Sequence, residues 1–198
     1  MIAIGMAGLV LAQDQTQRLD FPAGGVLHVK KLAGELTIEG WDQPGLEITA
    51  AKSAAVNAER KGEEVLITPA SSGHSMMDLE YRIRVPYSAR LVVEHGKGEV
   101  HVVNVTGDSR VTVSSGGITM DLPEGAYAID AKSSFGGVVS EFDGTGKRAR
   151  WLTGHRFSAE PAGSIHKLYL RAGYGDILLM KVPKGLGPGL ERQAEERH

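Results

Sequence analysis

The stretch Leu91–Leu122, LVVEHGKGEVHVVNVTGDSRVTVSSGGITMDL, carries a pattern that the rest of the chain repeats. Apolar and polar residues alternate over short runs: Val100 and Val102 fall on one side of a run, and the intervening His101 falls on the other. A period of two belongs to half-buried β-strands, because a helix would repeat its apolar residues every three or four positions. Glycines separate the runs, as turns with positive φ require. The stretch therefore predicts short β-strands joined by glycine turns.

A glycine followed by a strand recurs along the chain at near-regular intervals. Three copies begin at residues 98, 116 and 136, so the intervals are 18 and 20 residues. An earlier copy begins at residue 34 and a later one at residue 175, and the interval of 39 residues from 136 to 175 corresponds to about two further periods. The repetition predicts one all-β domain, β-solenoid-like or made of stacked antiparallel sheets, in which each unit buries its apolar face on the next.

The composition limits the classes of function. The 198 residues include 26 glycines and no cysteine, and only 6% of them are aromatic. Without cysteine there is no disulfide, thiolate nucleophile or cysteine-ligated metal site. The formal net charge of −2 provides no long-range field that attracts nucleic acid or an anionic membrane. We therefore expect a β protein with many turns, no cofactor and no nucleic-acid partner.

The two ends of the chain differ from its middle. Residues 1–12, MIAIGMAGLVLA, are uncharged and apolar, and resemble the hydrophobic region of a secretory signal, with Val10 and Ala12 as the small residues of a cleavage site. The alternative is an N-terminal strand or buried segment. We expect export to the periplasm, the cell surface or the medium, with no membrane span after the signal is removed. Residues 13–182 then form the β-repeat domain, and residues 183–198 a mobile charged tail.

Two segments of the chain need separate treatment. Residues 51–61 have helix-favouring alanines, yet Val56–Arg60 and Glu63–Thr68 also fit the two strands of a hairpin, which is the interpretation we favour. Met77–Val85 alternates apolar and charged residues and predicts an amphipathic strand that Pro86 ends. The other predicted strands are Val26–Lys30, Glu35–Glu39, Leu46–Ala50, Ala126–Ala131, Val138–Phe142, Arg148–Leu152 with Trp151, Ser164–Ala172 and Asp176–Val182.

Three segments resemble a known bacterial family. Gly34–Asp42 (GELTIEGWD), Val85–Leu91 (VPYSARL) and the glycine-led strands from Gly98 to Leu179 are similar to the "putative adhesin" domain, also called toastrack-like, over roughly Leu19–Val182. The resemblance implies a single β-solenoid-like or stacked-sheet domain, often behind a signal peptide, in exported envelope proteins of unknown function. The family has no established catalytic residues, so the resemblance assigns no site residue to this chain.

An enzymatic alternative needs paired carboxylates, or a carboxylate cluster with a basic residue, on one exposed face. Candidate residues are Glu94, Glu99, Asp108 and Asp121, with Arg110. Each of them also fits a solvated turn or strand edge, as Asp108 beside a glycine does. A cleft that holds two or more carboxylates within about 10 Å would favour a polysaccharide-active β-helix enzyme. Carboxylates scattered over flat faces would favour a binding protein.

Histidine and serine patterns give no better site. His95 and His101 are six residues apart, but Gly96 and Gly98 predict a turn between them, so we expect no metal site. Ser114 and Ser115 could be paired with His95 or His155, but Val-Ser-Ser-Gly-Gly is not a nucleophile elbow. Ser115-Gly116-Gly117 is not followed by a helix that could bind phosphate. Trp41 fits a core or edge cap, with a sugar-stacking platform as the alternative.

These observations predict an exported, non-enzymatic domain of the envelope or cell surface with no catalytic, cofactor-binding or metal-binding residue. Adhesion, scaffolding and envelope sensing are the roles that fit it, through a broad face or a sheet edge. The expected partners are an envelope protein or a glycan, and self-association through a sheet edge is open to such a fold. The alternative function is a polysaccharide-active β-helix enzyme with clustered carboxylates.

Overall fold

The structure, a computed structural model, describes residues 15–51, 54–70, 79–148 and 154–182. In these residues the chain forms seventeen β-strands and no α-helix, which confirms the all-β class. No helix in this part of the chain is long and apolar enough to cross a bilayer. The strands are β1 Gln15–Leu19, β2 Val26–Lys30, β3 Glu35–Trp41, β4 Leu46–Ala50, β5 Val56–Lys61, β6 Glu64–Pro69, β7 Glu80–Pro86, β8 Arg90–Lys97, β9 Val100–Val103, β10 Ser109–Ser115, β11 Ile118–Pro123, β12 Tyr127–Phe135, β13 Val138–Ser140, β14 Thr145–Arg148, β15 His155–Ala159, β16 His166–Tyr174 and β17 Ile177–Val182.

The strands form two sheets that stack on one apolar core. Sheet A has eight strands in the order β1-β4-β7-β3-β9-β11-β17-β13, and sheet B has nine in the order β14-β15-β12-β16-β10-β8-β2-β6-β5. Alternate residues of each strand enter the core, as Val111 and Val113 do from sheet B and Met120 and Leu122 do from sheet A. The opposite residues of each strand face outward and are mostly polar, except at the β17–β13 end of sheet A, where Val139, Leu178 and Met180 are exposed.

In the described residues, five passages from a strand of sheet B to a strand of sheet A run through a corner glycine. We call each such unit a rung; the rungs are β2–β3, β8–β9, β10–β11, β12–β13 and β16–β17. Neighbouring rungs pair in parallel in both sheets. Every rung enters sheet A in the same direction, and this produces the parallel pairing. The antiparallel pairing expected as one alternative occurs only at the ends of the stack, in β1–β4–β7, β5–β6 and β12–β15–β14.

The rungs do not stack in the order of the chain. The β16–β17 rung lies between β10–β11 and β12–β13, so the expectation that each unit packs on the next is wrong for the last two rungs. The interval from 136 to 175 holds the antiparallel hairpin of β14 and β15 rather than two further rungs. Because β15 pairs with one edge of β12, the returning strand β16 pairs with its other edge.

The glycines at the corners form a close-packed stack. Gly34, Gly98, Gly116, Gly175 and Gly136 all have positive φ, between 108° and 158°. A Cβ at position 98 would lie 2.0 Å from the carbonyl oxygen of Gly34, and one at position 116 would lie 1.9 Å from that of Gly98. Glycine is therefore required at these corners for two reasons: the backbone is in a conformation that favours glycine, and no space remains for a side chain.

The predicted strands agree well with the observed ones. The hairpin over residues 56–69 is present, so a helix over residues 51–61 is wrong. Three strands were not predicted: β1, which lacks apolar alternation, and the hairpin strands β14 and β15. Four parts of the predictions lie outside the described residues: the segment 1–12, residues 71–78 with the beginning of the amphipathic strand, residues 149–152 of the predicted strand Arg148–Leu152 with Trp151, and the segment 183–198.

Candidate binding surface

The outer face of sheet B brings together residues that are distant in sequence. The register places one outward residue of each of five neighbouring strands in a transverse row, and the next outward residues form a second row. The first row is Thr145, Ser158, Asp130, Tyr169 and Arg110, and the second is Lys147, Arg156, Lys132, Arg171 and Thr112. Four neighbouring strands, β14, β15, β12 and β16, thus each contribute a cation to the second row.

We call this surface the basic face and define it by six cations: Arg110, Lys132, Lys147, Arg156, Lys167 and Arg171. Asp130 lies among them, and Asp108 and Glu160 lie at its rim. Six cations minus three carboxylates give a local formal charge of +3. The whole chain carries −2, so the rest of it carries −5. The basic face is therefore a positive region on an acidic protein.

Asp130 and Tyr169 hold two arginines in place at the centre of the basic face. Arg171 donates from Nη2 to Asp130 Oδ2 at 2.7 Å, and Arg156 donates from Nε to Asp130 Oδ1 at 3.2 Å. The guanidinium carbon of Arg171 lies 3.7 Å from the centroid of the Tyr169 ring. These contacts fix the guanidinium of Arg171 in a defined orientation.

Arg110 also lies over Tyr169, with its guanidinium carbon 4.4 Å from the ring centroid. It stands opposite Tyr169 on the neighbouring strand β10. The ring is thus in contact with two guanidinium groups, which attract its π-electrons. Since Arg110 faces a ring and not a carboxylate, its N–H donors remain available to an anion.

The ionisation of Asp130 is fixed by its arginine partners. Partial burial raises the pKa of this carboxyl group, but the hydrogen bond and charge of Arg171, together with those of Arg156, outweigh burial and hold the pKa below its ordinary value. Asp130 is therefore an anion at neutral pH. It cannot serve there as a general acid, which must carry a proton.

A groove of about 620 Å³ runs along one side of the basic face. Residues of β14, β15, β12, β16 and β10 line it, including Thr145, Ser158 and Lys167 besides the central Asp130 and Tyr169. Hydroxyl groups thus lie beside the cations. The groove is open enough to take an extended chain across several strands, and its lining offers donors and acceptors as well as positive charge.

The structure does not bring the four candidate carboxylates together. Glu94 is exposed on β8, opposite Thr112 at the end of the second row and one strand beyond the basic face. Glu99 accepts a hydrogen bond from the Gly117 N–H at 2.9 Å at the corner, and Asp108 accepts one from the Lys167 N–H at 2.8 Å. Asp121 lies on sheet A. Of the five candidates for an enzymatic site, only Arg110 belongs to the basic face itself, and the carboxylates are scattered.

The two candidate histidines lie on different sheets. The predicted turn between them is the Gly98 corner, which carries the chain from sheet B to sheet A. His101 Nε2 donates to Asp121 Oδ2 at 2.7 Å on the outer face of sheet A. Among the residues that the structure describes, no three His, Asp or Glu side chains are close enough together to hold a metal ion.

His95 is a buried part of the glycine corner. Its side chain is only 2% exposed, and Nε2 donates to the carbonyl oxygen of Gly34 at 3.0 Å. Its Nδ1 is buried without a hydrogen-bond partner. Burial lowers the pKa of His95, against the opposing influence of the nearby backbone groups of Gly34 and Lys97 and of the charge of Glu99. His95 is therefore neutral inside the folded protein at neutral pH.

The serine candidates do not form a nucleophile with a histidine. His155 Nδ1 donates to the Gly136 carbonyl oxygen at 2.8 Å, so both His95 and His155 bind corner glycines. Ser114 and Ser115 end strand β10, with Ser114 exposed. The following residues, 116 and 117, lead into strand β11, so no helix N-terminus is present there to bind phosphate.

The outer face of sheet A carries a network of ion pairs around two carboxylates. Glu47 accepts from Arg18 at 2.7 Å and from Arg84 at 3.3 Å. Glu39 accepts from Arg84 at 3.2 Å, and Arg82 lies 3.6 Å from it. Both carboxylates are nearly buried, with 9% exposure for Glu39 and 6% for Glu47.

Trp41 closes the corner beside this network. Its Nε1 donates to the Gly45 carbonyl oxygen at 3.3 Å, and the Arg84 guanidinium carbon lies 5.8 Å from the ring centroid. The half-buried indole is thus an edge cap, as predicted.

Sequence reasoning missed the basic face. Its cations occupy ordinary outward positions of strands between residues 110 and 171, and nothing in their spacing shows that they meet. Two of the five contributing strands, β14 and β15, were not predicted. A signal did exist in the outward positions of β16, where Lys167, Tyr169 and Arg171 alternate with buried residues.

No family model matches the chain, and no curated protein matches it. Among solved structures, the fold is similar to a "putative cell adhesion protein" from Clostridium sporogenes ATCC 15579, with 14% identity, 86% of this chain and 100% of that chain covered, and a TM-score of 0.50. A "putative adhesin" from Bacteroides fragilis NCTC 9343 has 10% identity, coverage of 85% and 97%, and a TM-score of 0.31.

The first of these similarities concerns the fold, and it confirms at that level the resemblance to adhesin-like domains that the glycine-led strands predicted. The second superposes too loosely to add to the argument. At such low identity no residue role is transferred from either protein.

Proposed function

We propose that this chain is an exported, non-enzymatic domain of the cell surface or envelope that acts in adhesion by binding a partner through the basic face. The observation that carries the proposal is the positive face of sheet B, in which Asp130 and Tyr169 fix the arginines while Arg110 keeps its donors free. A fixed, charged surface of this kind suits recognition, because little side-chain entropy is lost on binding.

The chemistry of the groove supports binding over hydrolysis. A polysaccharide hydrolase needs one carboxyl group that carries a proton and a second carboxylate nearby. The groove contains Asp130 and Glu160, but Arg171 binds Oδ2 of Asp130 and Arg156 binds its Oδ1, so arginines occupy the oxygens that a nucleophile or base would present to a sugar. The candidate carboxylates Glu94, Glu99 and Asp121 lie outside the groove. We therefore propose that the domain holds its partner without cleaving it.

A surface location is supported by the adhesin-like fold and by the signal-like segment 1–12. Scaffolding and envelope sensing would use the same face, with an envelope protein in place of a glycan. Self-association through a sheet edge stays open to this fold, because the edge strands β1, β5, β13 and β14 have five, six, three and four residues. The shortest of them, β13, offers few unpaired backbone groups to a second chain, although Val139 and Leu178 are exposed beside it.

The proposal is tested with the purified domain and with bacterial cells that express it. The expressed protein should appear in the envelope or medium, with a mature N-terminus near Gln13 by mass spectrometry. The labelled domain should bind intact envelopes saturably, and incubation with envelope polysaccharides should release no new reducing ends. An intact N-terminus in the cytoplasm, or steady release of reducing ends, would refute the proposal.

A further inference from the structure

We infer that the basic face takes an anionic polysaccharide, a polymer that carries carboxylate or sulfate groups along its length. The inference rests on the proposed function and names the class of its ligand. It depends on three properties of the face: its length, its N–H donors that have no partner within the described part of the protein, and the ring of Tyr169, which two guanidinium groups already cover.

The length of the basic face fits a polymer better than a small anion. The rows cross five strands, β14 to β10, and four inter-strand gaps of about 4.8 Å give roughly 19 Å. The second row has a cation on four neighbouring strands. Charges repeated at this spacing match a ligand that presents several anionic groups in sequence, whereas a single phosphate or carboxylate would use only one or two of them.

Most donors of the basic face are not used within the protein. Arg171 uses Nη1 for the backbone carbonyl oxygens of Asp130 and Leu170 and Nη2 for the Asp130 carboxylate, which also pairs with Arg156. Arg110 lies over the ring of Tyr169 and forms no hydrogen bond or ion pair among the described residues. The exposed Lys132 and Lys147 have no ion pair among the described residues. Guanidinium groups bind carboxylate and sulfate oxygens with parallel N–H donors, so the arginines fit both kinds of anionic sugar.

The face favours a polysaccharide over a nucleic acid. Single-stranded nucleic acids bind by stacking bases on open aromatic rings. The ring of Tyr169 is already in contact with the guanidinium groups of Arg110 and Arg171. The hydroxyl groups of Thr145, Ser158 and Thr112 stand in the same rows and suit the hydroxyls of a sugar.

The test is a binding measurement with defined polymers. Fluorescence anisotropy with labelled oligogalacturonate, and competition by dextran sulfate, uncharged dextran and single-stranded DNA, would give the order of affinities. We expect binding of oligogalacturonate and displacement by dextran sulfate, with no displacement by dextran. The affinity should fall as salt rises, because ion pairs carry the binding.

Matched variants locate the site. The double variant Arg110→Gln with Lys167→Gln should bind about 10-fold or more weakly, since each charge-assisted hydrogen bond contributes about a factor of ten. A second double variant, Lys132→Gln with Lys147→Gln, should also weaken binding. The control Lys30→Gln with Lys61→Gln removes the same two charges from the β2 and β5 end of sheet B, and its affinity should change by less than about 2-fold. Circular dichroism would verify that all three fold.

The possible failures are distinguishable. If the wild-type domain binds envelopes but neither anionic polymer, the inference is wrong and the proposed function stands. If it binds neither envelopes nor polymers, both are wrong. Equal loss of affinity in the control variant would overturn the basic face as the site. Equal or tighter binding of single-stranded DNA, or equal competition by uncharged dextran, would overturn the assignment of the ligand to anionic polysaccharides.

Discussion

The outer faces of the two sheets have the same number of central arginines but use them differently. On sheet A, Arg18, Arg82 and Arg84 all contact Glu39 or Glu47, whose carboxylates are nearly buried. On sheet B, Arg156 and Arg171 share one carboxylate, and Arg110 has none among the residues that the structure describes. The three arginines of sheet A thus form a structural network with two nearly buried carboxylates, because each buried carboxylate would be unstable without its arginine partners. Three arginines and three lysines around Asp130 make a surface with charge left over for a ligand.

The glycine corner connects the two sheets, so a substitution there should cause the largest loss of stability and disrupt both outer faces together. In Gly116→Ala the new Cβ would overlap the Gly98 carbonyl oxygen, and the backbone would be strained at its φ of 133°. We expect the free energy of unfolding to fall by about 3–5 kcal/mol, as strain and overpacking combine.

Urea denaturation would measure this loss. Gly62→Ala is the matched control, since φ there is also positive, at 64°, but nothing lies within 4 Å of its Cβ. It should cost about 1–2 kcal/mol from backbone strain alone. Equal losses in the two variants would contradict the account of the glycine stack.

The second prediction separates the two faces directly. Arg84→Gln removes donors from both Glu39 and Glu47, so the free energy of unfolding should fall by about 1–3 kcal/mol. Arg110→Gln removes an arginine without a carboxylate partner and should change stability by less than about 0.5 kcal/mol. Polymer binding should show the reverse order, with a loss in Arg110→Gln and none in Arg84→Gln. If Arg84→Gln and Arg110→Gln changed stability and polymer binding by the same amounts, the two faces would not differ in function in this way.

A third prediction concerns acid sensitivity at the corner between the faces. The pKa of His95 is lowered in the folded state, so below about pH 6.5, its ordinary pKa, the unfolded chain takes up a proton that the folded one does not. The stability contributed by neutral His95 is therefore present above that pH and decreases as the pH falls. The slope contributed by this single group is at most about 1.4 kcal/mol per pH unit.

Unfolding curves between pH 7.5 and 5 would test this pH dependence. His95→Gln keeps a donor for Gly34 and lacks the titrating ring, so its stability should depend less on pH than that of the wild type. His28→Gln is the control, because its half-exposed side chain is not part of the core. A pH dependence in His95→Gln as steep as that of the wild type would assign the acid sensitivity to other groups.

The smallest expected effect is a change in affinity when the negative charge at the centre of the basic face is removed. Asp130→Asn removes a negative charge at its centre and keeps a side chain of the same shape. We expect the affinity for an anionic polymer to rise about 2- to 5-fold, because one repulsive charge of modest strength is removed. Weaker binding by Asp130→Asn would mean that the orientation of Arg171 matters more than the net charge.

Asp130 also contributes to stability. Its pKa is lowered in the folded protein, so this contribution is present at neutral pH and is lost only in acid, as the pH falls through the lowered value.

The sequence was sufficient for the fold class because the relevant signals are local. Alternation such as Val100-His101-Val102 marks a strand, and Gly98 and Gly116 mark corners, without knowledge of the rest of the chain. The order of the rungs depends on which edge of β12 is free, which is a property of the assembled sheet. The hairpin β14–β15 was missed because Thr145–Arg148 has no apolar alternation and looks like a turn.

The basic face could not be predicted for the same reason. Arg110, Lys132 and Lys147 each occupy an outward position of a different strand, and only the insertion of β16 between β10 and β12 places them in rows. The negative charge of the whole chain also concealed them, because a sum over 198 residues does not show a local excess of +3. Composition therefore argued only against nucleic acid and an anionic membrane, and the local positive charge becomes visible only from the register.

Arginine-specific labelling with phenylglyoxal, read by mass spectrometry with and without oligogalacturonate, tests the central claim most directly because it reports on both faces in one sample. We expect the polymer to protect Arg110, Arg156 and Arg171 from modification, and to leave the labelling of Arg18, Arg82 and Arg84 unchanged. Protection of the sheet A arginines, or equal protection of all six, would contradict the account that sheet B carries the recognition surface.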